Sequence, residues 1–200
     1  MTLYQAAETV FVAMALVTLV IPVCLLVLWK FLAFWRAHGP RVAWLAGGIG
    51  IAAALVVLFA IRGLWMPYAV RFPTWARVLG WVVSVSAGII VWVAQETITL
   101  RVRAFLPVLR PAERFELKTG GIYAMVRHPI YAAFALFDLG VFLVSGYYLV
   151  LGAMIVFLAA LPWACRQEER VLIERFGEAY LRYRASVPML LPRLIPARKR

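Results

Sequence analysis

Residues 128–170 read HPIYAAFALFDLGVFLVSGYYLVLGAMIVFLAALPWACRQEER, two apolar runs separated only by Ser145-Gly146-Tyr147 and bounded by polar residues at both ends. Each run approaches the roughly 20 apolar residues that a helix needs to cross the hydrocarbon core of a bilayer. A connection this short joins antiparallel neighbouring helices. The stretch therefore predicts a transmembrane hairpin, which returns the chain to the side of the membrane from which it entered.

Further apolar segments precede this hairpin, so we predict an all-α, polytopic membrane bundle of about five transmembrane helices. The predicted spans are roughly 8–34, 42–62, 76–99, 129–145 and 147–165. A chain of 200 residues that is 65% hydrophobic, with a mean hydropathy of +0.89, is too apolar for a soluble domain. We interpret 1–200 as a single membrane domain with an N-terminal three-helix part, 1–100, and a C-terminal part, 101–200, that carries the polar motifs.

Lys and Arg are concentrated in 100–128 and from Arg166 onward, whereas the hairpin tip and residues 1–9 contain none. Positive residues flank spans on the cytoplasmic side, which predicts an external N-terminus and a cytoplasmic C-terminal helix. A short chain without eukaryotic targeting signals favours a prokaryotic inner membrane. The net charge of +12 lies beside apolar spans, which suits the lipid bilayer and its anionic headgroups better than nucleic acid, so we predict no nucleic-acid partner.

The polar stretch KTGGIYAMVRHPIY at 118–131 runs directly into the fourth span. Its second glycine, Gly121, permits a tight turn, and Pro129 suits the first turn of a helix, which places His128 at the cap. Tyr131 then lies near the face of His128, and the free amides of the helix start favour an anionic ligand group. Taken alone, this block is better explained by an interfacial loop in which Arg127 and His128 contact lipid phosphate.

A second polar block begins where the last span ends, with the adjacent carboxylates Glu168 and Glu169. Apolar residues then recur at helical spacing and predict an amphipathic helix that folds back under the bundle: Val171, Leu172, Phe176 and Tyr180. Alone, this block is explained by a charged helix start. Because the hairpin returns the chain to one face of the membrane, however, the two blocks can meet in a pocket that offers both cationic and anionic contacts, as a zwitterionic ligand requires.

Neither cysteine suggests a further site, since Cys24 and Cys165 lie in different spans without metal-ligand spacing. We therefore predict no disulfide and no metal site. Asp138 is the one ionisable residue near the middle of a span, where a charge costs roughly 2.5–3.5 kcal/mol or more. It is interpreted either as a structural polar contact or as the wall of an acceptor channel, while Gln95 and Glu96 are interpreted as interfacial.

Taken together, the motifs resemble those of the isoprenylcysteine carboxyl methyltransferase family, which groups with membrane phospholipid N-methyltransferases. The resemblance covers about residues 115–196. The motifs that carry it are Gly121-Ile-Tyr123, Arg127-His128-Pro129-Ile-Tyr131, Glu168-Glu169, Phe176-Gly177-Glu178-Ala-Tyr180 and Val187-Pro188. Each motif is weak singly, whereas their order and spacing together are fairly specific.

This resemblance implies an integral-membrane methyltransferase that uses S-adenosyl-L-methionine and a membrane lipid or other hydrophobic acceptor. The acceptor group, a carboxylate, an amine or a thiol, stays open, as does the oligomeric state. The implied cofactor-binding residues all lie in the C-terminal part: Gly121, Tyr123, Arg127, His128, Pro129, Tyr131, Glu168 and Glu169.

The chain departs from the family pattern just before the glutamate pair. The family usually has an Arg about one turn earlier, where this chain has Ala164, and the nearest cation is Arg166, our candidate catalytic residue. Two alternatives are considered. Membrane sterol-type reductases, which bind NADPH, end in similar motifs but are generally longer, and a non-catalytic membrane protein could retain the same fold.

Overall fold

The structure, a computed structural model, describes residues 3–98, 106–109 and 116–192. Within these ranges the helices are α1 Leu3–Lys30, α2 Leu32–His38, α3 Pro40–Ala60, α4 Arg62–Trp65, α5 Thr74–Thr97, α6 Leu106–Leu109, α7 Pro129–Ser145, α8 Tyr148–Phe176 and α9 Glu178–Ser186. A short 3-10 helix, Gly121–Ala124, precedes α7. The described residues form no named strand, and the predicted all-α class is confirmed.

Five of these helices correspond to the predicted spans. Helices α1, α3, α5 and α8 are long and apolar enough to cross a membrane, and α7 is a shorter apolar helix of 17 residues. At 1.5 Å per residue α7 extends about 26 Å, close to the roughly 30 Å thickness of the hydrocarbon core. The protein is an integral membrane protein built as a helical bundle, as the sequence predicts.

Two predicted boundaries are wrong. The apolar pattern places the end of the first span at residue 34, but α1 ends at Lys30 and the separate helix α2 follows. The pattern also predicts a new amphipathic helix after the last span, whereas α8 continues unbroken to Phe176 and the chain turns at Gly177, with φ of 52°. Helical backbone bonding continues across the change from apolar to polar residues, so the glutamate pair lies inside α8.

Helices α5 and α7 pack closely through small residues. A Cβ atom placed on Gly140 would lie 2.3 Å from the Oγ of Ser84 and 2.7 Å from the carbonyl oxygen of Gly80. Small residues let membrane helices approach to backbone contact. Because the two helices run antiparallel, this packing brings the C-terminal end of α5 beside the N-terminal end of α7.

The predicted tight hairpin between α7 and α8 is confirmed, and it depends on one glycine. Gly146 adopts φ of 72°, donates its N–H to the Phe142 carbonyl at 2.7 Å and accepts from the Val70 N–H at 3.0 Å. A Cβ at Gly146 would lie 1.9 Å from the Val70 carbonyl oxygen. Only glycine therefore fits both the conformation and the space at this turn.

Asp138 connects α7 to α1. It is fully buried, and the hydroxyl of Thr18 lies 2.6 Å from its Oδ2. The same hydroxyl is 2.6 Å from the Ala15 carbonyl oxygen. Asp138 does not line the cavity described below, so its observed contact is the structural one of the two interpretations.

Candidate functional site

A cavity of about 330 Å³ lies where α7 begins. Its walls come from the C-terminal end of α5, from α6, from 116–131, and from the last turns of α8 together with α9. The volume falls at the lower end of the range of ligand pockets, about 300–1,000 Å³. The cavity therefore has room for a ligand of cofactor size, and it lies where the two polar blocks were expected to meet.

The two blocks do meet, through His128 and the glutamate pair. His128 is the N-cap residue of α7 and is buried, as the Pro129 helix start predicts. Its Nε2 lies 3.3 Å from Oε1 of Glu169, and its Nδ1 lies 3.7 Å from Oε2 of Glu168. The imidazole therefore lies between two carboxylates that α8 presents one residue apart.

The two glutamates occupy different environments. The Glu169 side chain is 3% exposed, does not line the cavity, and accepts from Nε of Arg127 at 2.8 Å. The Glu168 side chain is 29% exposed and lines the cavity beside Tyr131. The ring of Tyr131 stacks near that of His128, with centroids 5.8 Å apart. Glu168 is therefore available to a ligand, whereas Glu169 is committed to side chains of the protein.

Arg127 also contacts the C-terminal segment. Its Nη1 donates to the Arg184 carbonyl oxygen at 2.9 Å and to the carbonyl oxygen of Val187. Two backbone hydrogen bonds join the same segments. The N–H of Arg127 donates to the carbonyl oxygen of Pro188 at 2.9 Å, and the N–H of His128 donates to the carbonyl oxygen of Met189 at 3.0 Å. The residues after α9 are thus bonded to the segment that leads into α7.

Two tyrosines of α9 complete this side of the cavity. The hydroxyl of Tyr183 donates to the Tyr123 carbonyl oxygen at 2.6 Å. Burial raises the pKa of the Tyr183 phenol to about 12, against the opposing effect of the nearby Arg127 guanidinium. Burial likewise raises the pKa of Tyr180 above its ordinary range, and Glu169 acts in the same direction. Both phenols therefore stay protonated at neutral pH and can donate hydrogen bonds.

Most of the residues predicted from sequence lie together around this cavity. Those that line it are Tyr123, Arg127, His128, Pro129, Tyr131 and Glu168. Gly121 is exposed, with φ of 60°, and shapes the turn that leads to Tyr123. Arg166 is exposed on α8 and is not among the lining residues, so the structure does not bring it together with the others.

Sequence reasoning missed several contributors to the cavity. Gln95, interpreted as interfacial, lines it from the end of α5. Val108 of α6 lines it as well, and its carbonyl oxygen accepts from Nε of Arg36 on α2 at 3.0 Å. Phe134, one turn after Ile130 on α7, adds an apolar wall. The spacing of 130 and 134 on one helix face is a signal that was present in the sequence, whereas the Arg36 contact spans 72 residues and leaves no local pattern.

The chain matches a known protein family over about half of its length. The model of the family described as "Phospholipid methyltransferase" matches residues 75–179, which include nearly all of α5, the whole of α7 and α8, the polar stretch 118–131 and the glutamate pair. No solved structure matches the chain.

Two curated relatives are similar to parts of the chain. The protein-S-isoprenylcysteine O-methyltransferase of Schizosaccharomyces pombe is 38% identical over 81 residues, which are 40% of this chain and 34% of that protein. The methanethiol S-methyltransferase of Pseudomonas deceptionensis is 28% identical over 185 residues, covering 82% of this chain and 65% of that protein. The chain thus spans about a third of the length of one relative and less than two thirds of the other.

Proposed function

This chain belongs to the phospholipid methyltransferase family, and on that premise we propose that it is an S-adenosyl-L-methionine-dependent methyltransferase that acts on a lipophilic acceptor. The observation that carries the proposal is the cavity at the start of α7, where Glu168, His128 and Tyr131 lie together inside the segment that matches the family. A methyl donor with a sulfonium, an ammonium, a carboxylate and ribose hydroxyls requires contacts of both signs, and this lining offers them.

The donor set of the cavity fits that cofactor. The exposed part of the Glu168 carboxylate can accept from an ammonium or from ribose hydroxyls, and charge-assisted bonds of this kind are roughly twice as strong as neutral ones. Tyr131 and Tyr180 present aromatic rings, whose faces attract a cation such as a sulfonium. The free amides at the start of α7 suit a carboxylate.

Bound S-adenosyl-L-methionine supplies a methyl group on a positively charged sulfur. The residues of this chain then have to hold donor and acceptor in line and exclude water, and orientation of this kind can contribute about 7–11 kcal/mol in favourable cases. Methyl transfer needs little acid–base assistance, which agrees with a cavity whose lining residue His128 already pairs with Glu169 behind the wall. As the new bond to the acceptor forms, the bond between the methyl group and the sulfur would break and leave S-adenosylhomocysteine, and any proton of a thiol or amine acceptor would pass to solvent.

The acceptor is proposed to be hydrophobic and to reach the cavity from the bilayer. The apolar walls formed by Ile98, Phe134 and Leu172 support this class, because they would desolvate a greasy acceptor beside the charged donor. The two relatives are named for isoprenylcysteine and for methanethiol, one a prenylated carboxylate and the other a small thiol. Both names contain an apolar group, a prenyl chain in one and a methyl group in the other.

We place the N-terminus outside and the cavity on the cytoplasmic side of a prokaryotic inner membrane, where a soluble donor is available. Among the described residues, the C-terminal part of α8 and α9 is rich in Arg, whereas the turn between α7 and α8 has neither Lys nor Arg. Accessibility of single cysteines placed at the hairpin turn and in α9 to a membrane-impermeant thiol reagent tests this orientation. Labelling of the turn from the cytoplasmic side would contradict it.

Calorimetry on detergent-purified protein tests the donor. S-adenosylhomocysteine should bind, and Glu168→Gln should weaken its binding by about tenfold or more, because a bond to a charged group is lost. Glu174→Gln is the matched control, since Glu174 is exposed on the same helix and does not line the cavity. Binding of NADPH instead would favour the reductase alternative, and binding of neither would favour a non-catalytic protein.

Transfer of a labelled methyl group then identifies the acceptor. Purified protein is incubated with methyl-labelled donor and, separately, with a prenylated carboxylate, a lipid amine and an alkyl thiol, followed by total membrane lipid. The acceptor class that becomes labelled identifies the nucleophilic atom. The Arg166→Ala variant tests whether that residue contacts the acceptor, and unchanged transfer would remove Arg166 from the site.

A further inference from the structure

The guanidinium of Arg127 lies at the edge of the cavity but bonds to acceptors of the protein itself. Its Nε donates to Glu169, and its Nη1 donates to the carbonyl oxygens of Arg184 and Val187. Only 8% of the side chain is exposed. Two of the three guanidinium nitrogens therefore already donate to acceptors of the protein before any ligand binds. These N–H groups are not available to bind the carboxylate of a ligand.

The carbonyl groups that Arg127 holds belong to the stretch that follows the cavity-lining part of α9. The same stretch pairs with the backbone of Arg127 and His128 through Pro188 and Met189. A single short segment, 127–128, thus makes side-chain and backbone bonds to 184–189. We call this set of bonds the latch.

The latch matters because it fixes the C-terminal end of α9, where Nε of Arg184 also lies 3.5 Å from Oε2 of Glu169. Helix α9 joins α8 through Gly177, an exposed glycine with φ of 52°, and no atom of the described residues lies within 4 Å of a Cβ position there. Tyr180 and Tyr183 of α9 line the cavity and pack against Leu172 and Phe176 of α8. Bonds at the C-terminal end of α9 therefore act together with this packing to hold the two tyrosines in the wall.

We propose that Arg127 is a positioning residue, which latches 184–189 onto the start of α7 and so holds the tyrosine wall of the cavity, and that it does not bind the carboxylate of the donor. The inference rests on the proposed function only for the identity of the ligand. Arg127 acts through α9: when the latch opens, Tyr180 and Tyr183 leave the ligand, and every ligand that uses this wall is affected alike.

Arg127→Lys is the informative variant. Lysine keeps a positive charge beside Glu169, so the buried carboxylate keeps a partner, but it lacks the rigid fork that reaches Glu169 and two carbonyl groups together. Arg182→Lys is the matched control, because Arg182 is exposed on α9 and is not among the residues that line the cavity. Both variants are made in the full chain and purified in the same detergent.

Limited trypsin digestion without ligand is the first readout. Opening of the latch should expose α9, so cleavage after Arg184 should be about five- to tenfold faster in Arg127→Lys than in wild type, as expected for the loss of one or two net hydrogen bonds. Arg182→Lys should be cleaved after Arg184 at the wild-type rate. Equal cleavage rates in wild type and Arg127→Lys would overturn the latch.

Calorimetry with two nucleosides is the second readout, and it separates a positioning role of Arg127 from direct contact with the carboxylate of the donor. S-adenosylhomocysteine has the amino-acid carboxylate, whereas 5′-methylthioadenosine lacks it. The latch predicts that Arg127→Lys weakens both by the same factor, about five- to tenfold. Weaker binding of S-adenosylhomocysteine alone would make Arg127 a ligand of the carboxylate and overturn the proposal.

Tyr183→Phe keeps the proposal testable if Arg127→Lys does not fold. It removes only the hydroxyl that bonds to Tyr123 and should shift both readouts in the same direction by about two- to threefold. No shift in either cleavage rate or nucleoside affinity would show that anchoring of α9 does not hold the tyrosine wall, and would contradict the proposal. A wild-type protein that binds neither nucleoside would refute the proposed function, while the trypsin comparison would still decide the latch.

Discussion

Replacement of Glu169 by Gln is predicted to lower the stability of the protein, whereas replacement of the adjacent Glu168 by Gln is predicted to weaken ligand binding. In Glu169→Gln, Nε of Arg127 loses a carboxylate 2.8 Å away in a site where both side chains are below a tenth exposed. Removing one partner of a buried ion pair costs about 3–5 kcal/mol. Since glutamine keeps an oxygen acceptor and Arg127 keeps two carbonyl acceptors, we expect the lower end, about 3 kcal/mol.

Glu168→Gln should leave the free energy of unfolding nearly unchanged. Its side chain is 29% exposed and lies 3.7 Å from His128, and partly exposed pairs contribute about 0–1 kcal/mol. Its cost should instead appear in ligand binding, because Glu168, unlike Glu169, lines the cavity. The two variants differ by one position in the chain, so each is the control for the other.

Thermal unfolding in detergent, followed by tryptophan fluorescence without ligand, measures this difference. A loss of 3 kcal/mol should lower the Tm of Glu169→Gln by about 6–12 °C, with Glu168→Gln within about 2 °C of wild type. Equal Tm values for the two variants, combined with loss of nucleoside binding by Glu169→Gln alone, would refute the division of roles between the two carboxylates.

Three further predictions concern the packing and the wall of the cavity. Gly140→Ala should cost about 1–3 kcal/mol by crowding the backbone of α5, measured by thermal unfolding, whereas Gly152→Ala, with open space around it, should not destabilise. Thr18→Val should lower the free energy of unfolding by about 1–3 kcal/mol, because Asp138 loses the hydroxyl that bonds to it. Thr18→Ser keeps a hydroxyl and should have nearly the stability of the wild type. Equal Tm values for Thr18→Val and Thr18→Ser would contradict this prediction. Folding raises the pKa of the Tyr183 phenol from about 10 to about 12. The protonated phenol therefore stabilises the folded state below pH 10, and this stabilisation is lost as the pH rises from 10 to 12. Over that range the Tm of Tyr183→Phe should decrease less than the Tm of the wild type.

Much of the fold could be predicted because its signals are local. Each span is an unbroken apolar run, the α7–α8 turn is a glycine between two such runs, and Pro129 marks a helix start. The continuation of α8 to Phe176 could not be predicted in this way, since amphipathic spacing after residue 170 is the same for a continuing helix and for a new one. The break between α8 and α9 at Gly177 depends on a backbone conformation that glycine permits but does not require.

The candidate site was predictable as a set of residues but not as a set of roles. His128, Tyr131 and Glu168 were found by motif, and they do line one cavity. Gln95 looked interfacial because nothing local distinguishes a polar residue near lipid from one that faces a cavity. Arg166 was selected by its position in the chain, and its exposed location on α8 depends on the rotation of that helix, which the sequence does not specify.

By itself the sequence determined that this protein crosses a membrane as a helical bundle that contains a hairpin, and that the two polar blocks lie on one side of the membrane. These features follow from the lengths of the apolar runs and of the turn between them, which are local properties of the sequence. Only the tertiary structure decided which of two adjacent glutamates is available to a ligand. Successive side chains of a helix point about 100° apart, and the neighbours that bury one of them come from distant segments. Arg127 is 42 positions from Glu169 along the chain, and the Val187 carbonyl it also holds is 60 positions from it.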